Sequence, residues 1–215
     1  GRSVRRLIHD PLRMAHDPAA LRALIYGWGN EGYSAQHEYL GAMIRTAGDL
    51  DAAGDILECG SGLSTIALAA VARRQGRTVT ALEHIPEWAT RVRAAICRAG
   101  LADTAMVVDA PLTERGEFAW YDFAGSGPYA LVICDGPPAA THGGRYGLLP
   151  IMRTAFAPGC TILLDDLSRS DEQATLERWA RESGGRAEIV VRDKPFGVLK
   201  LPATTAPRAE VLAGF

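Results

Sequence analysis

The chain has 215 residues, 47% of them hydrophobic, which is enough for one substantial core and too few for two ordinary domains. A formal net charge of -2 gives no electrostatic footprint for nucleic acid, so a small or neutral substrate fits better. No apolar run reaches the roughly 18 residues of a membrane span, and Gly1–Arg6 carries charge without a signal-type apolar core behind it. The chain therefore reads as soluble and cytoplasmic, with no membrane partner. An initial Gly1 suggests a trimmed or tagged N-terminus. Cys59, Cys97, Cys134 and Cys160 lie in or beside apolar runs without C-x-x-C spacing, as expected of buried thiols in a reducing compartment.

In chain order, the first thirty residues look helical in two pieces broken at Asp10-Pro11 and Asp17-Pro18. A helix follows over 34–47, with Ser34 as its N-cap and Leu40, Met43, Ile44 and Ala47 at helical spacing. The pattern then predicts strand 55–59, helix 64–75, strand 78–83, helix 86–99 and strand 104–108. Strand 129–134, helix 145–156, strand 160–165, helix 171–183 and strands 187–192 and 196–201 complete it. Pro86 and Glu87 suit the first turn of a helix, and Ser170 with Gln173 makes a capping-box pattern. Regular alternation of this kind predicts an α/β doubly wound, Rossmann-like sheet with added N-terminal helices. The last two strands are joined by Asp193-Lys194-Pro195, too short for a parallel crossover, so the final strand should be antiparallel.

The most informative stretch is Asp55-Ile-Leu-Glu-Cys-Gly-Ser-Gly-Leu-Ser-Thr65, where an apolar strand breaks at Glu58 into Gly60-Ser61-Gly62 and a helix begins. Strand, glycine turn and helix let a cofactor approach the backbone. An acidic strand end suits a ligand bearing hydroxyls or an ammonium better than a pyrophosphate. Glu83 closes the next strand some twenty residues on, and the pairing points to a nucleoside cofactor.

From about residue 34 to residue 201 the chain resembles the class I S-adenosylmethionine (SAM)-dependent methyltransferases. Glu58-Cys59-Gly60-Ser61-Gly62 looks like their first glycine motif, with Ser64 and Thr65 opening the next helix, and Glu83-His84 like the acidic end of their second strand. Asp109-Ala110 sits where the family's third strand meets the adenine. Ile133-Cys134-Asp135-Gly136-Pro137-Pro138 looks like the fourth-strand motif, and Leu163-Leu164-Asp165-Asp166 like the end of the fifth. Leu-Glu-His-x-Pro-Glu-Trp at 82–88, with Asp-Gly-Pro-Pro at 135–138, is similar to bacterial small-molecule O-methyltransferases of the catechol and macrocin types.

The resemblance implies a methyltransferase core over 51–202, N-terminal helices over 1–50 as a substrate lid, a tail over 203–215, and homo-oligomers as an option. Glu83 should take both ribose hydroxyls, with His84 beside the adenine. Glycines 60 and 62 meet the amino-acid end of the cofactor, whose carboxylate Ser64 binds, with Ser34 a weaker candidate. Asp135, Asp165 and Asp166 would converge at the strand ends, where like charges need compensation and oxygen ligands suit Mg²⁺ or a similar ion. The third ligand position, often Asn in the metal-dependent enzymes, is Asp166 here, and the alternative is that the aspartates cap a helix or position substrate.

The base is equally open. The catechol-type lysine position holds Pro138, which leaves His142, in a glycine-rich loop, and Asp135 as candidates. Lys194 and Lys200 are expected to face solvent, and Tyr26, Trp28 and Tyr33 to be either lid or core. The expected function is O-methylation of a small hydroxylated metabolite, with Mg²⁺ assistance. Two alternatives stand beside it. One is an NAD(P)-dependent oxidoreductase, although Thr65 stands where a dinucleotide fingerprint has its third glycine; the other is a SAM-binding protein without catalysis.

Overall fold

The computed structural model describes residues 2–30, 35–125 and 127–203. The N-terminal segment forms three helices rather than two, α1 (Arg2–His9), α2 (Pro11–Ala15) and α3 (Pro18–Trp28). Each break is an N-cap. The Asp10 carboxylate accepts from the Arg13 amide at 3.2 Å and that of Asp17 from Ala20 at 3.0 Å. Pro11 and Pro18 take the first helical position, where the missing N–H has no intrahelical partner to lose. Helix α4 (His37–Gly48) has Gln36 at its N-cap, with no side-chain cap bond; Ser34 and Tyr33 lie outside the described residues.

The core elements are β1 (Asp55–Cys59), α5 (Leu63–Gln75), β2 (Val79–Glu83), α6 (Pro86–Arg98), β3 (Ala105–Asp109), β4 (Leu112–Glu114), β5 (Ala119–Tyr121) and β6 (Tyr129–Cys134). After them come α7 (Leu148–Met152), β7 (Phe156–Leu164), α8 (Ser170–Ser183), β8 (Arg186–Val190) and β9 (Phe196–Lys200). Seven strands make one sheet in the order β3-β2-β1-β6-β7-β9-β8. Strands β1, β2, β3, β6 and β7 pair in parallel, while β9 runs antiparallel to both β7 and β8, as the short connection requires.

Side chains alternate across the sheet with period two. Ile56, Leu131 and Ile133 join the core under α4, α5 and α6, whereas Leu57, Val132 and Cys134 join the opposite core with α7 and α8. Cys59, Cys134 and Cys160 are buried as expected; Cys97 on α6 is exposed.

Three local expectations change. The helix expected over 145–156 shrinks to α7 plus a 3₁₀ turn at Arg153–Ala155, because Pro150 lacks an N–H and fits only the first helical turn. Ser170 is the first residue of α8, whose N-cap is Arg169 without a side-chain bond, so the capping box is not formed. The β4–β5 hairpin was not anticipated. Its packing buries Trp120 and Tyr121 completely.

Candidate active site

The sheet reverses its winding between β1 and β6, and parallel strands leave a crevice at their C-terminal ends at such a point. A cleft of about 780 Å³ opens there, within the usual size range of ligand pockets. The amides of Asp135 and Gly136 both donate to the Cys59 carbonyl, at 3.1 and 2.8 Å, and lock the ends of β1 and β6 together. Gly60 has φ +93°, a left-handed conformation that favours glycine, and its backbone faces that of Gly136. Gly62 is extended and forms open cleft wall.

Glu58 lines the cleft yet is only 1% exposed. It accepts from the Thr65 hydroxyl at 2.5 Å, and that hydroxyl accepts from the Gly62 amide at 2.9 Å, so the strand end fixes the glycine turn. Burial pushes the Glu58 carboxyl up to about 7, against hydrogen bonds from Ser64 and Thr65, with the charge of Glu83 adding to the rise. Thr65 is therefore a buried positioner of the turn rather than part of the cleft wall. Ser61 and Ser64 do line the cleft.

Glu83 is organised by four donors. Its Oε1 accepts from the amides of His84 and Ile85 at 3.0 and 3.1 Å, and its Oε2 from the Ser61 amide and hydroxyl at 3.2 and 2.8 Å. The Ser61 hydroxyl is the donor free to rotate away and yield a lone pair to a ligand. His84 lines the cleft beside Glu83, with its ring edge toward Tyr121. The Tyr121 hydroxyl, buried in the cleft wall, has no bonding partner among the described residues. Sequence reasoning missed Tyr121 because it sits on the unforeseen hairpin.

A second unanticipated feature closes the same end. Trp88 on α6 donates its Nε1–H to the Ser61 carbonyl at 2.7 Å and meets Trp28 of α3 edge to face at 6.3 Å. Arg91 sits over both rings, 5.5 Å from the centroid of Trp28 and 4.8 Å from that of Trp88, and donates to the Trp28 carbonyl at 3.0 Å. Trp28 is thus a cleft residue. Tyr26 is exposed on α3 and Tyr33 lies outside the described residues.

At the other end Asp135, Asp165 and Asp166 converge, with ligand oxygens all within 4.8 Å of one another. Their charges are compensated by side chains. Lys194 Nζ lies 2.8 Å from Asp165 Oδ2 and 2.7 Å from Asp166 Oδ1, so this lysine points into the cleft instead of facing solvent. Arg145, only 2% exposed, reaches Asp166 Oδ2 at 2.9 Å and Asp135 Oδ1 at 3.4 Å, and Arg169 reaches Asp166 Oδ2 at 2.8 Å. The Arg145 guanidinium also donates to the carbonyls of Asp135 at 2.7 Å and Asp165 at 3.0 Å, strapping the ends of β6 and β7 together. Asp166 is the single described non-glycine residue with positive φ, at +67°, a conformation these ion pairs hold in place.

The proton affinities follow. Burial, then the neighbouring Asp165 charge, pushes the Asp135 carboxyl well above the usual range against Arg145 and Lys194. Burial alone would raise Asp166 and lower Lys194, but their mutual hydrogen bond and the surrounding charges outweigh it, so Asp166 is held low and Lys194 high.

Three candidates from the sequence are not brought to the cleft. Asp109 pairs with Arg93 at 2.8 Å, and Ala110, fully buried, donates its amide to the Glu83 carbonyl at 2.8 Å. His142 is exposed in its loop and pairs with Glu114 at 2.9 Å, away from the cleft wall. A general base contributes about 10²–10⁴-fold, so His142→Ala is expected to change kcat by less than about twofold in steady-state assays at pH 7. A loss of a hundredfold would return the histidine to the mechanism.

A parallel five-stranded run, a β8–β9 hairpin that closes one edge with β9 as the reversed strand, and a cleft at the reversal point make up the fold. Residues 57–167 match the family described as a methyltransferase domain, and the chain belongs to that family. The fold is shared with the SAH-bound methyltransferase PaMTH1 of Podospora anserina, at 16% identity over 84% of this chain and 85% of that one, TM-score 0.60. It is shared too with the O-methyltransferase of Bacillus cereus in complex with SAH, at 16% identity over 94% and 91% of the two chains, TM-score 0.56. An RNA methyltransferase from Salinibacter ruber, with S-adenosyl-L-homocysteine, matches at 18% identity over 80% and 96%, TM-score 0.51. No curated protein matches the chain. No helix among the described residues is long and apolar enough to cross a membrane.

Proposed function

We propose that this methyltransferase uses SAM and transfers its methyl group to a hydroxyl oxygen of a small acceptor. The observation that carries the acceptor class is the pairing of opposite hydrogen-bond roles at one end of the cleft. Lys194 can only donate, and the deprotonated form of Asp135 can only accept. A hydroxyl, which both accepts and donates, matches the pair. The O–CH₃ bond then forms as the sulfonium S–CH₃ bond breaks in line, and the hydroxyl proton passes to Asp135 in its deprotonated form. The fold neighbours support SAM through the SAM-derived ligand in their structures, and they include both an O-methyltransferase and an RNA methyltransferase. The acceptor assignment therefore rests on the cleft. Among the described N-terminal residues Trp28, Asn30, Ala35 and Leu40 line the cleft, and this part of the segment serves as its lid, with Trp28 as the point of closure.

At the cofactor end, Glu58 offers a carboxylate to the ammonium and Glu83 takes the ribose hydroxyls. Glu83→Ala is expected to weaken SAM binding by about 1.5–3 kcal/mol, roughly 10–150-fold, the scale for hydrogen bonds to a charged group. Calorimetry showing unchanged affinity would remove Glu83 from the ribose site. The function itself is tested by screening hydroxylated metabolites with methyl-labelled SAM and mass spectrometry. Label appearing only on nitrogen or carbon would overturn the oxygen assignment.

A further inference from the structure

The resemblance to metal-dependent O-methyltransferases implies a divalent ion among Asp135, Asp165 and Asp166, and the side chains around them do not fit one. A hard cation needs carboxylate oxygens that are free to turn toward it. Here both Asp165 Oδ2 and Asp166 Oδ1 are held by one ammonium at 2.8 and 2.7 Å, and Asp166 Oδ2 is held by two guanidinium groups at 2.9 and 2.8 Å. Lys194, Arg145 and Arg169 therefore already bring three positive charges to the aspartates and the neighbouring Glu172, and they occupy three of the carboxylate oxygens a dication would need.

We infer that Lys194 is the resident cation of the acceptor site: its ammonium stands where a metal would, orients the acceptor oxygen directly, and makes methyl transfer independent of divalent ions. The inference rests on the methyl-transfer reading. Its geometry is specific. An ammonium carries three N–H donors, of which Asp165 and Asp166 take two, and the third remains for a ligand in the cleft that Lys194 lines. The side chain is 25% exposed, deep enough to be fixed and open enough to be reached. It is delivered by the connection between β8 and β9, so the antiparallel edge of the sheet has a place in the site. A hydroxyl bound to this N–H presents a lone pair toward the cofactor end and leaves its proton toward Asp135.

The test separates ion binding from turnover. Wild-type protein titrated with Mn²⁺ and followed by electron paramagnetic resonance should show no stoichiometric site, and EDTA should change kcat by less than about twofold. Lys194→Ala should open the carboxylates, gain one bound Mn²⁺ per chain, and lose roughly 10²–10³-fold in kcat, the scale for removing an oriented donor, with the SAM Kd unchanged. Lys194→Arg keeps a cation, so it should gain no Mn²⁺ and retain more activity than the alanine variant. One tightly bound Mn²⁺ in the wild type, lost in Asp165→Asn, would overturn the inference, as would a Lys194→Ala enzyme with wild-type kcat. The wild-type titration needs no variant to fold and no acceptor to be known. Failure of the wild type to bind SAM would overturn the methyl-transfer reading and leave the ion result standing.

Discussion

Replacing Arg145 by methionine is expected to cost the fold about 3–5 kcal/mol at neutral pH, the usual result of removing one partner from a buried ion pair. For a chain of this size that lowers Tm by roughly 6–20 °C. Methionine fills much of the arginine's volume but leaves Asp135, Asp166 and Glu172, which lie 3.4, 2.9 and 3.6 Å from the guanidinium, without its charge. It also strands the carbonyls of Asp135 and Asp165, which lose a donor inside the protein. The deficit should depend on pH with a definite sign. Without the guanidinium the folded-state pKa of Asp135 and Glu172 rises further above the unfolded value, and that of Asp166 rises from its lowered position. The variant's native state then binds protons that its unfolded state does not, and stability returns as pH falls. Urea unfolding of both proteins at pH 5 and pH 7.5 checks this. A variant within 1 kcal/mol of wild type at pH 7.5, a bound well below the roughly 3 kcal/mol expected, would show that the guanidinium does not hold the strand ends together.

The second large effect belongs to Glu58. Its carboxyl is raised from the ordinary 4.5 to about 7 by burial, so the folded protein holds a proton there that the unfolded chain has released. Stability from this group is fully present below pH 4.5 and is lost as pH rises through about 7. A shift of that size corresponds to roughly 3 kcal/mol. Glu58→Gln keeps an acceptor for the Thr65 hydroxyl and does not titrate. Relative to wild type it should therefore gain about 2–3 kcal/mol between pH 5 and pH 8, read from urea midpoints. Parallel pH profiles for the two proteins would show that Glu58 is already ionised in the cleft. If the cofactor places an ammonium beside it, binding to wild type should also release a proton near pH 6.5, and binding to the glutamine variant should not.

Much of this site was legible in the chain because its signals are local. Glu58, Gly60-Ser61-Gly62 and Glu83 sit where a strand, a turn and a helix can be read from adjacent residues, and all five line the cleft. The antiparallel edge followed from three residues between two strands. What escaped was set by tertiary contacts. Strands β4 and β5 have three residues each, too short to show a period, and with them went Tyr121. Arg145 stood at the start of the helix expected over 145–156, and only the convergence of β6 and β7 shows that it is buried. Lys194 was read as a solvated turn residue because lysines usually are, and 29 positions separate it from Asp165. His142 and Asp109 lie outside the cleft wall for the converse reason. Their residue types suit a site, but each is engaged by a surface partner, Glu114 or Arg93.

The position of Lys194 also bears on how the protein is made. With α8 and β8 lying between in the chain, synthesis delivers Asp135, Asp165 and Asp166 before the lysine that pairs with two of them. Until then the half-built cleft carries an excess of negative charge that disfavours its closing. A nascent or truncated chain ending before β9 would thus carry a cofactor floor without an acceptor site, and no methyl group should be transferred before the last strand is in place.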